Sequence, residues 1–283
     1  MPLTDTGYTA LRVTREGAVA TVTLDNPPIN TLDRALVTDL IRFVRSVRDD
    51  DAVRVIVLES ANPEFFSAHA DLKWMFEPDE LTELADDDGD PNLNPLQQLH
   101  ERFRTLPQVT IAKLRGRLRA GGAELAMAAD MRFAARGRTW LAQPETRMGI
   151  FPGGGGTQYL TRLLGRARAL EVVLGAELFD TDLAERYGWI NRAIAPEDLD
   201  AFVDSLARRI AALPPGVAEA AMQAIDAAEA SGAVPDLLEE AQAHAKVYPA
   251  PPSVVERMRR AVTAGAQTRD GELDLEGLLD RLN

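Results

Sequence analysis

Polar and apolar positions along the first sixty residues follow patterns that predict strands and then a helix. Residues 11–25 alternate between polar and small or apolar side chains, which predicts two short strands around a turn at residues 15–17. From Asp33, which can cap a helix, apolar residues recur at helical spacing up to an acidic stop at residues 49–51. A continuous apolar run at residues 53–58 is typical of a strand that is covered on both faces. This β–β–α–β order predicts a layered α/β core.

The pattern breaks at residues 77–95, where charged and turn-forming residues are concentrated. The run 86–91 contains only aspartate, glycine and proline, and such a run buries little surface. We therefore predict a mobile, solvated loop here, with a lid over a binding site as the alternative. Beyond it, residues 109–114 form another apolar strand, and a helix rich in strong helix formers is predicted from about Gly122.

The elements predicted for the second half of the chain are mostly helices. Two short extended segments come first, at residues 131–135 and 139–142, and the chain is predicted to become all-helical near Leu164. The helices are predicted at residues 157–164, 166–174, 181–187, 199–213, 217–230, 234–247 and 254–264. A late, Ala-rich amphipathic segment either packs back on the core or mediates oligomerisation, and the pattern favours neither.

The composition of the 283-residue chain narrows the classes of function, and its 46% of apolar residues are enough for a buried core. Lys and Arg total 31 against 44 Asp and Glu, a formal charge of -13 that argues against general affinity for nucleic acid or anionic lipid. With 0 Cys, disulfides and thiolate chemistry are excluded, and the 3 His are too scattered to predict a metal pair. The sequence shows neither a signal peptide nor a membrane span, which predicts a soluble cytoplasmic protein.

Two glycine clusters mark candidate backbone sites. The run at residues 153–156 lacks the Lys-Ser or Lys-Thr of a phosphate loop, and no strand-Gly-x-Gly-x-x-Gly-helix unit is present, so nucleotide hydrolysis and dinucleotide binding are disfavoured. We interpret this run as a tight loop that passes close to another group. The turn at residues 120–122 lies between a buried strand and a helix start. Its N–H groups and the helix dipole are suited to a developing oxyanion, although glycine turns before helices are common.

Two glutamates adjoin these turns. Glu124 lies in the first turn of the predicted helix, where Glu is ordinarily solvated, but the apolar residues 125–129 follow it directly. A partly buried carboxyl is suited to proton transfer near neutral pH. Glu145 follows a strand-like run and precedes the second glycine loop. Two carboxyls that flank an electrophile could handle a water molecule and a proton separately, whereas isolated glutamates are usually surface residues.

Several stretches, taken together, resemble one known family. They occur in the expected order within about residues 11–196. The stretches are Asn26-Pro27-Pro28-Ile29-Asn30-Thr31-Leu32, Phe66-Ser67-Ala68-His69-Ala70-Asp71-Leu72-Lys73, Gly121-Gly122-Ala123-Glu124-Leu125-Ala126, Gln143-Pro144-Glu145, Gly149-Ile150-Phe151-Pro152-Gly153 and Gly155-Gly156-Thr157-Gln158. Their joint order is more specific than any single glycine pattern. In the identity and order of these stretches, the chain resembles the enoyl-CoA hydratase/isomerase superfamily, which is also called the crotonase superfamily.

The resemblance implies an α/β fold in two parts. Residues 1–196 would form a crotonase-like spiral of ββα units that holds an acyl-CoA site, and residues 197–283 an all-helical C-terminal region. In the family that region builds trimers, often paired into hexamers, so a homotrimer or hexamer is expected. The substrate would be an acyl-CoA thioester, with coenzyme A as part of the substrate and with no metal or prosthetic group. The segment after Val247 differs from the usual family ending.

The resemblance also assigns catalytic roles. The backbone N–H groups of Ala70 and Gly121 would form an oxyanion hole that polarises the thioester carbonyl, and one donor of this kind is worth about 3–4 kcal/mol. Glu124 would deprotonate a water molecule for attack at Cβ, and Glu145 would deliver a proton to Cα. Double-bond isomerisation commonly depends on the Glu145 position alone. The presence of both carboxyls therefore favours hydration of a trans-2-enoyl-CoA.

Two alternatives accompany this prediction. Within the same fold, the chain could be an isomerase, or another crotonase-type acyl-CoA lyase, decarboxylase or hydrolase that acts on a specialised substrate. In a different class, it could be a catalytically silent subunit that binds acyl-CoA or serves as a scaffold. Such a binding subunit has no chemical need to keep both Glu124 and Glu145.

Coenzyme A contacts are also implied by the resemblance, in which backbone carbonyls of one stretch meet the adenine. The residues of that stretch are Ala68, Ala70, Asp71, Leu72 and Lys73. Because the whole chain is acidic, the phosphates need a local cationic neighbourhood, for which Lys73, Arg117 and Lys246 are candidates.

Several residues depart from the family pattern, including Ala120 and Ala142, each of which replaces a glycine that is frequent in the family. Arg117 and Arg119 stand where many members carry aromatic or aliphatic residues, and they are either solvated or help to bind an anionic group. His69 replaces a small residue that is common directly before Ala70. It is either a hydrogen-bonded structural histidine or a residue that tunes the site.

Overall fold

One sheet forms the centre of the computed structural model, which describes residues 7–86, 88–214, 216–230, 245 and 249–282. Eight strands within these ranges join it. The strands are β1 (Leu11–Glu16), β2 (Val19–Leu24), β3 (Val55–Ser60), β4 (Phe65–Ser67), β5 (Val109–Arg119), β6 (Met131–Ala142), β7 (Phe179–Asp180) and β8 (Arg192–Ile194). The layered α/β core predicted from the sequence is confirmed.

The sheet begins with the predicted hairpin and continues with parallel strands. Its order is β1-β2-β3-β5-β6-β7, with β4 beside β5 and β8 beside β6. The pair β1–β2 is antiparallel, with Leu11 opposite Leu24. Strands β2, β3, β5 and β6 are mutually parallel, because the chain crosses between them through helices and longer loops. Parallel strands place their carboxyl ends at one edge of the sheet.

Helices account for most of the remaining structure. The helices of the described ranges are α1 (Arg34–Arg48), α2 (Pro78–Thr82), α3 (Pro95–Arg104), α4 (Ala120–Met127), α5 (Gly156–Leu164), α6 (Arg166–Gly175), α7 (Thr181–Tyr187), α8 (Leu199–Ala211), α9 (Val217–Ala230), α10 (Pro252–Thr263), α11 (Arg269–Leu273) and α12 (Leu275–Asp280). Short 3₁₀ helices span Leu72–Met75 and Glu145–Met148. In this part of the chain, no helix is both long and apolar enough to cross a bilayer.

Helix α1 shows how the sequence pattern becomes structure. The side chain of Asp33 accepts a hydrogen bond from the Leu36 amide at 3.0 Å, which satisfies one of the free donors at the helix start. One face of the helix is buried against the sheet and carries Leu36, Leu40, Phe43, Val44 and Val47. The predicted cap and the predicted apolar face are therefore both confirmed.

Strand β3 confirms the prediction of a strand that is covered on both faces. Ile56 and Leu58 belong to the large core cluster on one side, whereas Val55 and Val57 belong to a second cluster on the other side. The second cluster is completed by buried side chains of α8, Leu199, Val203 and Ala207. Helix α8 thus packs back on the sheet. Its sequence pattern favoured neither packing on the core nor oligomerisation.

Several predicted elements need correction. The chain after Leu164 is not all-helical, because the short strands β7 and β8 add to the sheet beside β6. Strand β6 is one continuous strand instead of two extended segments, and α4 begins at Ala120 instead of Gly122. Helix α3 was not predicted. The predicted helix at residues 234–247 lies outside the described residues.

Residues 77–95 do not form the simple solvated loop that their composition predicts. They contain α2, and they bury Leu84 and Asp86. The Asp86 carboxylate forms ion pairs with Arg45 on α1 and Arg102 on α3. Burial tends to raise the pKa of Asp86, but the hydrogen bond from Arg45 and the nearby positive charge of Arg102 lower it overall. An aspartate-rich run can anchor itself when folding brings arginines to it.

The C-terminal helices α10, α11 and α12 pack against the first half of the chain. Met258 and Leu275 are buried with Leu72 and Met148, which lie on the two 3₁₀ helices. This small apolar cluster fixes the end of the chain beside the stretch that contains Ala70 and the segment that contains Glu145. The domain boundary at residue 196 stays a prediction.

Candidate active site

A cavity of about 170 Å³ lies where the segments after β4, β5 and β6 meet. Ala70, Gly121, Glu124 and Glu145, the four residues predicted to be catalytic, all line it. Its apolar wall consists of Leu72, Trp74, Met75, Leu81, Leu96, Met148, Ile150 and Phe151. The structure therefore brings the predicted chemical groups together in an apolar enclosure, where polar interactions are stronger than in water.

Ala70 and Gly121 lie in close contact, although they are about fifty positions apart. A Cβ atom built on Gly121 would lie only 3.2 Å from the backbone nitrogen of Ala70. Leu32 pairs with this stretch as in a parallel sheet: its carbonyl accepts from the Asp71 amide, and its amide donates to the His69 carbonyl. Because both bonds to Leu32 come from the residues on either side of Ala70, the N–H of Ala70 points away from Leu32. Among the described residues, neither the Ala70 nor the Gly121 amide has a hydrogen-bond acceptor.

The turn before Gly121 is held in an unusual backbone conformation. Ala120 has a φ of +47°, in the left-handed region that normally favours glycine. A glycine would adopt this conformation without strain. The next residue but one, Gly122, packs against β4 so closely that a Cβ there would lie 2.3 Å from the Ser67 carbonyl oxygen. Helix α4 can therefore approach β4 only because residue 122 has no side chain.

Glu124 is bound by the second glycine cluster. Its Oε1 accepts hydrogen bonds from the amides of Gly154 at 2.8 Å and Gly156 at 2.9 Å. The side chain is buried, and Gly156 is the first residue of α5, so the positive end of that helix faces the carboxylate. A Cβ on Gly154 would lie 2.5 Å from Oε2 of Glu124. The glycine run is thus the predicted tight loop, and the group it encloses is this carboxylate.

His100, on α3, supports the same loop from behind. Its Nδ1 lies 2.7 Å from the carbonyl oxygen of Gly154, to which it donates as the neutral tautomer. Burial lowers the pKa of His100 to about 4, against a small opposing effect of this hydrogen bond. The ring is therefore uncharged at neutral pH. Sequence reasoning missed this residue, because a lone histidine on an unrecognised helix carries no local signal.

Glu145 begins the 3₁₀ helix that follows β6, and its side chain is almost fully buried. Its carbonyl accepts from the Ile150 amide at 3.2 Å, so the loop folds back over the residue. Ile150 and Phe151 then line the cavity beside it. Glu124 and Glu145 thus reach one cavity from different elements.

The predicted coenzyme A residues divide into two groups. Ala70, Asp71 and Leu72 line the cavity, whereas the side chain of Ala68 is enclosed between Ile29 and Phe65. Lys73 is exposed on the adjoining surface near Arg34 and Arg42. This surface lies next to the cavity, since Asp71 borders both.

Two of the three candidate phosphate-binding residues can be located. Lys73 lies near the cavity as described, but Arg117 does not line it. The Arg117 guanidinium lies over the ring of Trp140, 4.9 Å from its centroid. Lys246 lies outside the described residues.

His69 and Arg119 are buried and bind two carboxylates from the C-terminal helices. Nε2 of His69 lies 2.8 Å from Oε1 of Glu272 on α11. Arg119 donates to both carboxylate oxygens of Glu276 on α12, at 3.0 and 3.2 Å. Arg119 is therefore not the solvated group that one of its alternatives assumed, and His69 is a buried, hydrogen-bonded histidine. No local pattern around Glu272 or Glu276 indicates this contact.

No group of three or more histidine, aspartate or glutamate side chains in the described ranges is arranged to bind a metal ion.

Comparison with known proteins gives the family of this chain. The model of the enoyl-CoA hydratase/isomerase family matches residues 14–261. The short-chain-enoyl-CoA hydratase of Clostridium acetobutylicum is 30% identical over 213 residues, which cover 75% of this chain and 79% of that protein. The carnitinyl-CoA dehydratase of Salmonella arizonae is 34% identical over 216 residues, which cover 76% and 79%. The chain therefore belongs to the enoyl-CoA hydratase/isomerase family.

Solved structures agree with this result. A protein of Streptomyces avermitilis, provisionally assigned as an enoyl-CoA hydratase, is 46% identical and superimposes with a TM-score of 0.90, covering 98% of this chain and 99% of that one. The crotonase fold expected from the sequence is confirmed, including its C-terminal helices. The protein is thus an enzyme of the acyl-CoA hydratase/isomerase class.

Proposed function

We propose that this protein is an enoyl-CoA hydratase, which adds water across the 2,3 double bond of a trans-2-enoyl-CoA. The observation that carries the proposal is the meeting of two buried carboxylates, Glu124 and Glu145, with the amides of Ala70 and Gly121 in one apolar cavity. A hydration needs a base for water, an acid for the α-carbon and donors for the thioester oxygen. The four groups supply all three functions.

The thioester carbonyl binds between the amides of Ala70 and Gly121. Attack of water at Cβ moves electron density onto the carbonyl oxygen, which becomes an enolate oxygen. Two preorganised N–H donors stabilise that charge without reorganisation, and each is worth about 3–4 kcal/mol in comparable sites. The nearby start of α4 adds the partial positive charge of a helix N-terminus.

The two carboxyls divide the proton transfers. The Gly154 and Gly156 amides hold Oε1 of Glu124 and so orient the carboxylate, which accepts a proton from the attacking water. Glu145 enters the reaction protonated and delivers its proton to Cα. The oxygen of water forms the new bond to Cβ, so the product is a 3-hydroxyacyl-CoA. Glu124 then releases a proton to solvent, and Glu145 takes one up, before the next turnover.

We propose coenzyme A as part of the substrate and no prosthetic group or metal. Asp71 and Leu72 border the cavity next to Ala70, which supports binding of the coenzyme along this stretch. The exposed Lys73 lies on the surface next to the cavity, and its position supports contact with a phosphate. Hydration is redox-neutral, and the donors and acids above account for its proton transfers.

The arrangement around Glu124 supports hydration over double-bond isomerisation. Moving a double bond requires one group that removes a proton and returns it, and Glu145 could serve alone. A second carboxylate bound by two backbone amides has no function in that reaction. In a hydratase it orients and deprotonates water. The same reasoning applies to a subunit that only binds acyl-CoA.

The test is the loss of ultraviolet absorbance of crotonyl-CoA, because hydration removes its conjugated double bond. Purified protein should consume the substrate and form 3-hydroxybutyryl-CoA, identified by mass spectrometry. Glu124→Gln should lower kcat by about 100-fold or more. The exposed Glu177 serves as a control, and Glu177→Gln should leave kcat unchanged.

The products separate the proposal from its alternatives. A product of unchanged mass with a shifted double bond, formed from a 3-enoyl-CoA, would identify an isomerase. Binding of crotonyl-CoA without any turnover would identify a binding subunit. Either result would overturn the proposal.

A further inference from the structure

Four charged side chains connect the proposed oxyanion hole to the C-terminal helices. We call His69, Arg119, Glu272 and Glu276 the C-terminal charge cluster. Three of the four side chains are at most 3% exposed, and that of Glu276 is 22% exposed. Two cations face two anions. Each buried charge therefore has a partner of opposite sign, which offsets the cost of removing it from water. The ion pairs join residues that are 203 and 157 positions apart in the chain, so the cluster is a product of the tertiary fold.

His69 is held at both ring nitrogens. Its Nδ1 lies 2.9 Å from the Ala70 carbonyl oxygen, and its Nε2 lies 2.8 Å from Oε1 of Glu272. Both partners are acceptors, so the ring donates at both positions and is an imidazolium. Burial lowers the pKa of His69, but the charge and hydrogen bond of Glu272 outweigh that effect and raise it overall. The ring therefore ties the peptide after Ala70 to α11.

Arg119 is held with equal precision. Its guanidinium is fully buried and forms two hydrogen bonds to Glu276, while Nη1 lies 3.7 Å from Oε2 of Glu272. A bidentate pair fixes the plane of the guanidinium as well as its distance. Arg119 directly precedes Ala120, the residue with a φ of +47°, and Ala120 directly precedes Gly121. The salt bridge thus holds the backbone from which the Gly121 amide projects.

Further contacts join the same helices to the site. The Gln267 side chain donates to Oδ1 of Asp71 at 2.8 Å, and the Gln267 amide donates to Oε1 of Glu272 at 2.6 Å. Arg147, two residues after Glu145, forms a 3.5 Å ion pair with Asp280 on α12. The C-terminal segment therefore contacts the stretches that carry Ala70, Gly121 and Glu145.

We propose that the C-terminal charge cluster consists of positioning residues, which fix the Ala70 and Gly121 amides at the spacing that a thioester enolate requires. This inference rests on the proposed oxyanion role of those two amides. Of the four members only His69 borders the cavity, whereas Arg119, Glu272 and Glu276 do not line it and act through the backbone. A displacement of about 1 Å in such a site lowers a rate by about 100-fold, so even small shifts of either amide are measurable.

The first test replaces Glu276, whose partial exposure makes the variants tolerable. Glu276→Ala removes both acceptors of Arg119, and Glu276→Gln retains one. We expect kcat for crotonyl-CoA to fall by about 10- to 100-fold in the alanine variant and less in the glutamine variant, with KM changed by less than about threefold. The grading between the two variants would show partial rescue by the remaining acceptor.

Glu59 provides a matched control. It is 24% exposed, and its carboxylate forms an ion pair with the largely buried Lys113, but neither residue lines the proposed site. Glu59→Ala should change kcat by less than about twofold. A general loss of stability would affect both alanine variants, whereas loss of positioning affects Glu276→Ala alone.

The second test measures carbonyl polarisation directly. Butyryl-CoA labelled with ¹³C at the thioester carbonyl is saturated and cannot be hydrated, and its carbonyl stretch shifts to lower frequency when two donors bind the oxygen. In the wild type we expect this shift. In Glu276→Ala, and in the charge-neutral double variant His69→Gln/Glu272→Gln, the band should return toward its position in free butyryl-CoA.

The outcomes distinguish this proposal from the proposed function. If the wild type shifts the band but does not hydrate crotonyl-CoA, the hydratase proposal fails and the positioning proposal is still decided by the variants. If the folded variants keep the wild-type band and kcat, or lose only KM, the positioning proposal is wrong. Thermal unfolding of each variant shows whether it is folded. If the double variant with its two buried substitutions does not fold, Glu276→Gln decides the positioning proposal.

Discussion

His100 and Glu124 bind opposite ends of one residue, Gly154: the imidazole contacts its carbonyl oxygen at 2.7 Å, and the carboxylate accepts from its amide at 2.8 Å. The peptide groups on either side of Gly154 therefore have little freedom to rotate. The glycine has no side chain, so the carboxylate can approach this closely. A buried histidine outside the cavity lining thus fixes the orientation of the proposed base.

Gly154→Ala tests this close approach. The added Cβ would lie 2.5 Å from Oε2 of Glu124, so the carboxylate has to move, and kcat for hydration should fall by about 10- to 100-fold. Gly175→Ala is the control, because a Cβ there meets nothing within 4 Å. It should keep full activity and raise the free energy of unfolding by up to about 1 kcal/mol, since alanine favours the helix. Equal activity of the two variants would contradict the prediction.

Gly121→Ala and Gly122→Ala should separate activity from stability. At Gly122 the Cβ would overlap the Ser67 backbone, which cannot move aside, so the free energy of unfolding should fall by about 1–3 kcal/mol. At Gly121 it would press on Ala70 from 3.2 Å and displace one of the two proposed oxyanion donors. For each kcal/mol of stability lost, kcat should therefore fall far more in Gly121→Ala than in Gly122→Ala. Urea unfolding and kcat, measured on both variants, provide the comparison.

His100 should make the protein less stable in acid. Because burial lowers its pKa from the usual 6.5 to about 4, the unfolded chain binds a proton between these pH values that the folded chain does not. The free energy of unfolding therefore falls as the pH decreases through this window, by about 3 kcal/mol in total from this group. In His100→Gln that contribution is absent. Urea unfolding from pH 7 to pH 4 should show the wild type losing more stability than the variant.

His69→Gln is the internal control for this measurement, because the pKa of His69 is shifted in the opposite direction. Below the usual pKa of 6.5, His69 is protonated in both states, so its contribution is constant there. It is lost only as the pH rises through the raised pKa of the folded state. A difference between wild type and His100→Gln that does not change from pH 7 to pH 4 would refute the assignment of a neutral His100.

Asp86 should anchor residues 77–95 over the cavity. Asp86→Asn removes the charge that pairs with Arg45 and Arg102, and the free energy of unfolding should fall by about 1–3 kcal/mol. KM for crotonyl-CoA should rise, because Leu81 of the same segment lines the cavity. Asp88→Asn, at an exposed neighbouring position, should change stability by less than about 0.5 kcal/mol. If both variants unfold at the same urea concentration, Asp86 is not an anchor.

Chains of this protein should associate as a homotrimer or hexamer. Large apolar side chains that are normally covered stand exposed on two helices, Leu174 at 66% on α6 and Ile225 at 68% on α9. Sedimentation equilibrium should give three or six chain masses. Leu174→Asp or Ile225→Asp should lower that mass if its side chain lies in the interface. A monomer in the wild type would contradict the prediction.

Local signals were enough to predict much of the fold. Asp33 indicated the start of α1, because a capping side chain and an apolar face both lie within a few residues of it. The apolar run at residues 53–58 indicated a strand that is covered on both faces. A signal of the same kind lies at the start of α3. Asn94 and Gln97 form a capping box with Pro95 at the first helical position, and each donates to the other at 3.0 Å.

The site could be predicted only where its residues belong to recognisable stretches. Ala70, Gly121, Glu124 and Glu145 lie in such stretches, and the structure brings all four to one cavity. Glu272 and Glu276 could not be predicted, because glutamates near a chain end are ordinarily solvated and their partners lie far away in the sequence. Asp86 misled the prediction for the same reason, since its arginines come from two other helices.

The position of Glu272 and Glu276 near the end of the chain has a consequence for biosynthesis. A ribosome synthesises a protein from its N-terminus onward. The strands and helix α4 therefore emerge from the ribosome well before α11 and α12. Until those last helices emerge, the cationic His69 and Arg119 have no counter-charge from this segment. The nascent chain can therefore form its sheet before the proposed oxyanion site is completed, which requires α11 and α12 to have emerged.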